Sequence, residues 1–280
     1  MREVAIIGAG ELGGLVAHAL TRQRVVGSIR LIDEAGRIAE GKALDIAQAA
    51  PVEGFATQLT GTTDIASAAG ASVIVVADRG SGGEWHGEDA LQLVTRLAHM
   101  APAAVILCAG ALQREVVDRG VRELRLDRTR VFGSAPEALV GGARALVALA
   151  VNGSPRDVTL TVLGVPPAHT VIPWEEAAVA GFAFTRLVDE PTRRRLAARV
   201  AALWPLGPWA LASAAAAVID TMAGRSRRIV SCFVGPDTSA GTRARTAALP
   251  VRLGSRGIVE VLMPALSTVE RVALDSAMNL

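Results

Sequence analysis

The sequence predicts an α/β protein in two parts: a parallel sheet covered by helices over residues 1–135, and a second, α+β part over residues 136–280. Three observations carry this reading. Short runs of uninterrupted apolar residues alternate with helical stretches through the first half, the pattern of strands buried on both faces and their covering helices. A glycine-rich turn joins the first of those runs to the first helix. After residue 133 the texture changes, with Gly133, Pro136 and Gly141-Gly142 clustered at the junction.

Val4-Ala5-Ile6-Ile7 reads as the first buried strand, and Gly8-Ala9-Gly10-Glu11-Leu12-Gly13 follows it directly. Leu15, Val16 and His18-Ala19-Leu20 then continue at helical spacing. A second strand, Ser28–Ile32, ends in Asp33, about 20 residues beyond the last glycine of the turn. A unit of this kind binds a dinucleotide. Gly8 permits the tight strand-to-helix turn, Gly10 lets backbone N–H groups approach a pyrophosphate, and Gly13 lets the helix pack close to the sheet. The positive end of the helix, with the amides of Glu11 and Leu12, faces the phosphates. The Glu11 side chain is read as turned to solvent, since its charge would repel them. Asp33 accepts hydrogen bonds from ribose hydroxyls, which favours NAD over NADP. Ala77, at the end of a later strand, is a further candidate cofactor contact.

The remaining elements follow in order. A helix contains residues 41–46, a short strand covers 56–59, and Gly61-Thr62-Thr63-Asp64 forms a turn. Buried strands cover 72–77 and 103–109 on either side of a helix over 88–99, and Val131–Gly133 is a short final strand. In the second half, 158–163 and 229–234 read as strands. Residues 210–222 form a helix of small residues that requires a close packing partner. Ser267-Thr268-Val269-Glu270 is a capping box that opens the last helix.

Composition narrows the function class. The 280 residues carry 29 Lys and Arg against 27 Asp and Glu, a net charge of +2. That balance makes no electrostatic case for nucleic acid or an anionic membrane. Arg193-Arg194-Arg195 reads as the solvated face of a helix. Lys42 is the sole lysine and tyrosine is absent, a bias of genome composition rather than function. Cys108 and Cys232 lie in apolar runs, as core thiols of a reducing cytoplasm do. No stretch reaches the roughly 18 apolar residues of a spanning helix, and Glu3 and Glu11 argue against a signal peptide. A cytoplasmic protein is expected. His18, His86, His99 and His169 show no metal-ligand spacing with Cys, Asp or Glu.

Nearly end to end, the chain resembles the malate/lactate dehydrogenase family. The residues that carry the likeness are the 8–13 turn, Gly41-Lys42-Ala43-Leu44-Asp45, Pro51-Val52-Glu53-Gly54-Phe55 and Gly61-Thr62-Thr63-Asp64. Ser154-Pro155-Arg156-Asp157-Val158, Val162-Leu163-Gly164, Pro173-Trp174, Gly181 and the tail 266–276 continue it. The resemblance implies a Rossmann dinucleotide-binding domain followed by a lactate/malate dehydrogenase-like C-terminal domain. It also implies NAD, hydride transfer on a small 2-hydroxy or 2-oxo carboxylate, and a homodimer or homotetramer.

The family's chemistry needs a histidine base, an aspartate that orients it, and arginines that clamp the substrate carboxylate. The resemblance places Pro166 at the histidine, Leu139 at the aspartate and Gly142 at the clamp. Ser81 and Gly87 stand at the loop arginines, Asp78 replaces a glycine of the nicotinamide pocket, and Ala111-Leu112 replaces an Asn-Pro pair. His169, three residues beyond Pro166, is the candidate replacement base. Asp127-Arg128-Thr129-Arg130 imitates the missing pair but matches the preceding strand instead. Three readings follow: an oxidoreductase on an atypical substrate, a catalytically silent NAD(H)-binding relative acting as a sensor or oligomer partner, and an interaction protein with a vestigial cofactor site.

Overall fold

In the first strand, β1 (Glu3–Ile7), Val4, Ala5 and Ile6 are wholly buried, as an apolar run flanked by two neighbouring strands requires. The computed structural model describes residue 1, residues 3–237 and residues 244–279. Helix α1 (Glu11–Gln23) buries Val16, Ala17 and Leu20 at helical spacing and stops at Arg24, which adopts the left-handed conformation. Then come β2 (Ser28–Ile32), α2 (Gly36–Glu53), β3 (Gln58–Thr62) and β4 (Val73–Val76). After them lie α3 (Gly87–Met100), β5 (Val105–Cys108), α4 (Arg114–Arg122) and β6 (Val131–Gly133).

These six strands are parallel, in the order β3-β2-β1-β4-β5-β6. The order reverses between β1 and β4, so their carboxyl ends frame the crevice where sheets of this type bind ligands. The fold class expected from the sequence is the one observed.

The second half contains α5 (Ala135–Ala150), β7 (Val158–Thr159), β8 (Leu163–Val165), β9 (His169–Val171), β10 (Ala178–Val179) and β11 (Phe182–Ala183). It ends with α6 (Glu190–Ala201), α7 (Pro208–Met222), β12 (Val230–Val234), β13 (Ala247–Gly254), β14 (Gly257–Val261) and α8 (Thr268–Met278). Strand β12 joins the edge of β6 in antiparallel fashion, and the sheet continues through β13, β8 and β9. The alanine-rich α7 packs on both α1 and α5, the close partners its small residues require. The Ser267–Glu270 capping box is formed in both directions.

The structure corrects three expectations. Strand β3 begins at Gln58 and takes in Gly61 and Thr62, assigned to a turn from the sequence. A Cβ on Gly61 would strike the α2 backbone at Ala39, so the glycine serves the strand's approach to that helix. The single strand expected over 158–163 is split, with β7 in a small three-stranded sheet and β8 in the main one. Between them the Val162 N–H donates to Ser231 Oγ at 3.2 Å rather than to a ladder. Helix α4 and the β13–β14 hairpin had no sequence-based counterpart.

Candidate functional site

The crevice is built on the 8–13 turn. Gly8 takes φ +106°, in the left-handed region, and leads the chain into α1. The first free amides of α1 point out of its N-terminus, where an anion is favoured. That place is held by the protein's own Asp78, immediately beyond β4. One Asp78 carboxylate oxygen accepts from Gly13 N at 2.9 Å and the other from Leu12 N at 3.2 Å. The Asp78 carbonyl accepts from Gly10 N at 3.0 Å. A Cβ on Gly10 would land on the Asp78 carboxyl group, so the space opened by that glycine is filled. Glu11 is exposed, and the ammonium of Lys42 donates to the Gly10 carbonyl.

Asp33, at the end of β2, is 8% exposed. Its Oδ2 accepts from Ala9 N at 2.7 Å and from Gly80 N at 2.6 Å, and its Oδ1 from Ala35 N at 2.8 Å. Ala77 is fully buried; its carbonyl accepts from the Gln113 side-chain amide at 3.2 Å. Gly80 and Asp78 belong to a tight hairpin, paired at Asp78 and Glu84, that lies over the carboxyl edge of the sheet. Glu84 closes a second nest of amides beyond β5, accepting from Ala111 N and Leu112 N at 2.9 Å each. Burial pushes its carboxyl above the usual range, the Leu112 and Ala111 amides pull it down, and the Asp78 charge pushes it up again. Arg79 stacks over Trp85 at 4.1 Å and pairs with Asp89 at 2.9 Å. Beside the hairpin lies an open cavity of about 480 Å³ lined by Ile7, Ile32, Asp33, Trp85, Leu93 and Arg96.

No family model matches the chain. It is 29% identical over 302 residues to a malate dehydrogenase of Desulforudis audaxviator, covering 99% of this chain and 96% of that one. It is 27% identical over 296 residues to a malate dehydrogenase of Thermomicrobium roseum, covering 99% and 95%. Among solved structures, the lactate dehydrogenase from Cryptosporidium parvum complexed with lactic acid and nicotinamide adenine dinucleotide has the same fold. The match has a TM-score of 0.87 at 20% identity, covering 99% of this chain and 95% of that one. Over nearly its whole length the chain is similar in sequence to malate dehydrogenases and shares the fold of a lactate dehydrogenase, which supports membership of the malate/lactate dehydrogenase family. Its relatives by sequence are oxidoreductases.

Within that family frame, the positions matched to the base, its orienting acid and the clamp hold Pro166, Leu139 and Gly142, none of which can ionise. Leu139, at the place of the orienting aspartate, is wholly buried in a core built from α5, α6 and the small sheet. Gly142, at the place of the clamp, faces Leu203; a Cβ there would stand 2.6 Å from Leu203 Cδ1. Pro166 is buried in the turn between β8 and β9. His169 starts β9, half-buried, and among the described residues its ring forms no hydrogen bond or ion pair. Strands β4, β5, β6, β12, β13 and β8 come between β1 and β9 in the sheet order. Asp127 caps the turn before β6, and Arg130 donates to the Ala104 carbonyl at 2.7 Å, at the amino-terminal end of the parallel strands. The exposed His86 precedes α3, and Arg79 is committed to Asp89 and Trp85.

With the hairpin in this position, the residues present do not fit a dinucleotide. The amides that would meet a pyrophosphate are bonded to Asp78, and the oxygens of Asp33 that would meet a ribose are bonded to Ala9, Gly80 and Ala35. Glu84 is a site residue that no motif in the sequence marks. Its one signal was the spacing of two carboxylates, Asp78 and Glu84, within a glycine-rich loop.

Proposed function

We propose that this chain is a catalytically silent member of the malate/lactate dehydrogenase family, one that binds a ligand at the 8–13 crevice without transferring hydride to malate or lactate. The observation that carries the reading is that a wholly buried Leu139 and a side-chain-free Gly142 stand where the orienting acid and the clamp are expected. A base needs a carboxylate to hold its tautomer, and a substrate carboxylate needs a bidentate arginine. Leu139 supplies no carboxylate from its buried place, and Gly142 has no side chain to supply the guanidinium. Loss of groups that act together removes most of the transition-state stabilisation at once. The competing reading, hydride transfer with His169 as base, finds no carboxylate bonded to the His169 ring among the described residues.

Purified protein assayed with malate or lactate and NAD, and with oxaloacetate or pyruvate and NADH, is expected to show no turnover at rates typical of the relatives. Turnover at those rates, lost in His169→Ala, would replace this reading with the competing one. The 8–13 turn, Asp33 and the NAD-complexed relative of the same fold argue for descent from NAD(H)-binding proteins, whereas the Asp78 and Asp33 hydrogen bonds argue against NAD(H) as the resident ligand. Entry of a dinucleotide would require the hairpin closed by Asp78 and Glu84 to withdraw. Self-association as a dimer or tetramer is supported by the exposed apolar residues Leu44 and Val52 on α2. The two buried free thiols, Cys108 and Cys232, support a reducing cytoplasmic setting.

A further inference from the structure

The glycine turn and the residue that fills it make conflicting demands on a ligand. The turn has the form that receives a diphosphate: Gly8 in the left-handed region, Gly10 without a side chain, and the Leu12 and Gly13 amides at the N-terminus of a 13-residue helix. Yet an anion is already there, covalently part of the chain. The Asp78 carboxylate engages both amides and fills the Gly10 gap. It is anchored on both sides, by its own carbonyl to Gly10 N and by its pairing with Glu84 across the hairpin.

Charge reinforces the steric conflict. A diphosphate brought to this turn would meet Asp78 and Asp33, with Glu11 in the first turn of α1. Two cations of the crevice are engaged elsewhere: Lys42 with the Gly10 carbonyl, and Arg79 with Asp89 and the face of Trp85. Beside Asp33, the cavity of about 480 Å³ is open and within the range of small-molecule sites, lined by the apolar Ile7, Ile32 and Leu93 and by the charged Glu34, Asp89 and Arg96.

We propose that Asp78 is the specificity-determining residue of this crevice, a resident anion that takes the place of a ligand's diphosphate and so selects against phosphate-bearing ligands, dinucleotides included. The favoured ligand is small, carries no phosphate at the end facing α1, and occupies the open cavity. Removing the carboxylate returns the turn to diphosphate binding. The proposal rests on the crevice being the ligand site, as set out above, but not on the chain being catalytically silent.

The test is calorimetric titration of the cofactor-stripped full chain with adenosine, ADP and NADH, in the wild type, Asp78→Gly and Asp78→Asn. Adenosine and ADP differ only in the diphosphate, so their ratio reads the anion site itself. ADP and NADH are expected to bind Asp78→Gly at least tenfold more tightly than the wild type. Asp78→Asn, which keeps the bulk and drops the charge, should fall between, while adenosine affinity changes less than threefold. Wild-type binding of NADH as tight as that of Asp78→Gly would overturn the proposal. So would an equal gain for adenosine, or a failure of both variants to bind NADH while melting like folded protein. Turnover by NADH-loaded Asp78→Gly with oxaloacetate or pyruvate separates the two claims: it would sink the silent reading and leave this one standing.

Discussion

A Cβ on Gly8 would strike the carbonyl oxygen of Asp78, and one on Gly13 would strike that of Gly8. These residues are therefore required by backbone packing whether or not a nucleotide ever binds, and a glycine fingerprint survives where its ligand has been displaced. The sequence made the turn and Asp33 legible because both are local patterns. It could not show Asp78 bonded to Gly13, because that contact joins residues 65 positions apart. Asp118 is a comparable case. Burial alone would raise its carboxyl, but the Thr246 N–H at 2.8 Å and the guanidinium groups of Arg245 and Arg122 hold it below its ordinary value. A depressed folded-state value means stability that is present above the ordinary value of 3.8 and lost as the pH falls through the folded one. Asp118→Asn should thus cost about 1–2 kcal/mol at pH 7 in urea unfolding, since charge-assisted bonds to two arginines are lost. The gap between variant and wild type should close below pH 3.8.

Among the elements, α5 decides the most. It carries Leu139 on a wholly buried face, and its buried Glu137 accepts from Ser231 N on β12 at 2.9 Å while pairing with Arg228 at 3.2 Å. A helix tied down this way cannot accommodate a charge at Leu139 by turning. Leu139→Asp, which restores the family's acid, should lower stability by about 3 kcal/mol or more, because a carboxylate is buried without a partner. A thermal melt within a few degrees of wild type would show that α5 is looser than its packing implies. Most elements were legible from apolar runs and caps. The 158–163 segment was not, because an apolar run records burial but not which sheet each residue joins. Helix α4 was missed because its buried Val116, Val117 and Val121 are separated by charged residues that read as loop.

For the whole molecule, the pairing of β12 with β6 makes one continuous sheet of the two halves, with α7 packed on helices of both. The outer surface is less settled by internal contacts. On α2, Leu44 is 60% and Val52 is 90% exposed. Burial of such side chains contributes about 1.5–3 kcal/mol each, enough to help hold a partner subunit. Light scattering on the eluted protein should give a dimer or tetramer, and Leu44→Asp combined with Val52→Asp should give a monomer; a monomeric wild type would end the idea.

The stacking of Arg79 on Trp85 has an optical consequence. Of the four tryptophans, this one rides on the hairpin, and its indole nitrogen is buried without a hydrogen-bond partner among the described residues. Trp174 and Trp204 sit against Phe184 and Phe233 in other parts of the protein. Lifting the hairpin would wet the Trp85 indole and move its emission to longer wavelength. The protein thus carries an intrinsic fluorophore whose colour follows the opening of its own crevice, and a stopped-flow trace of that emission would time the opening directly.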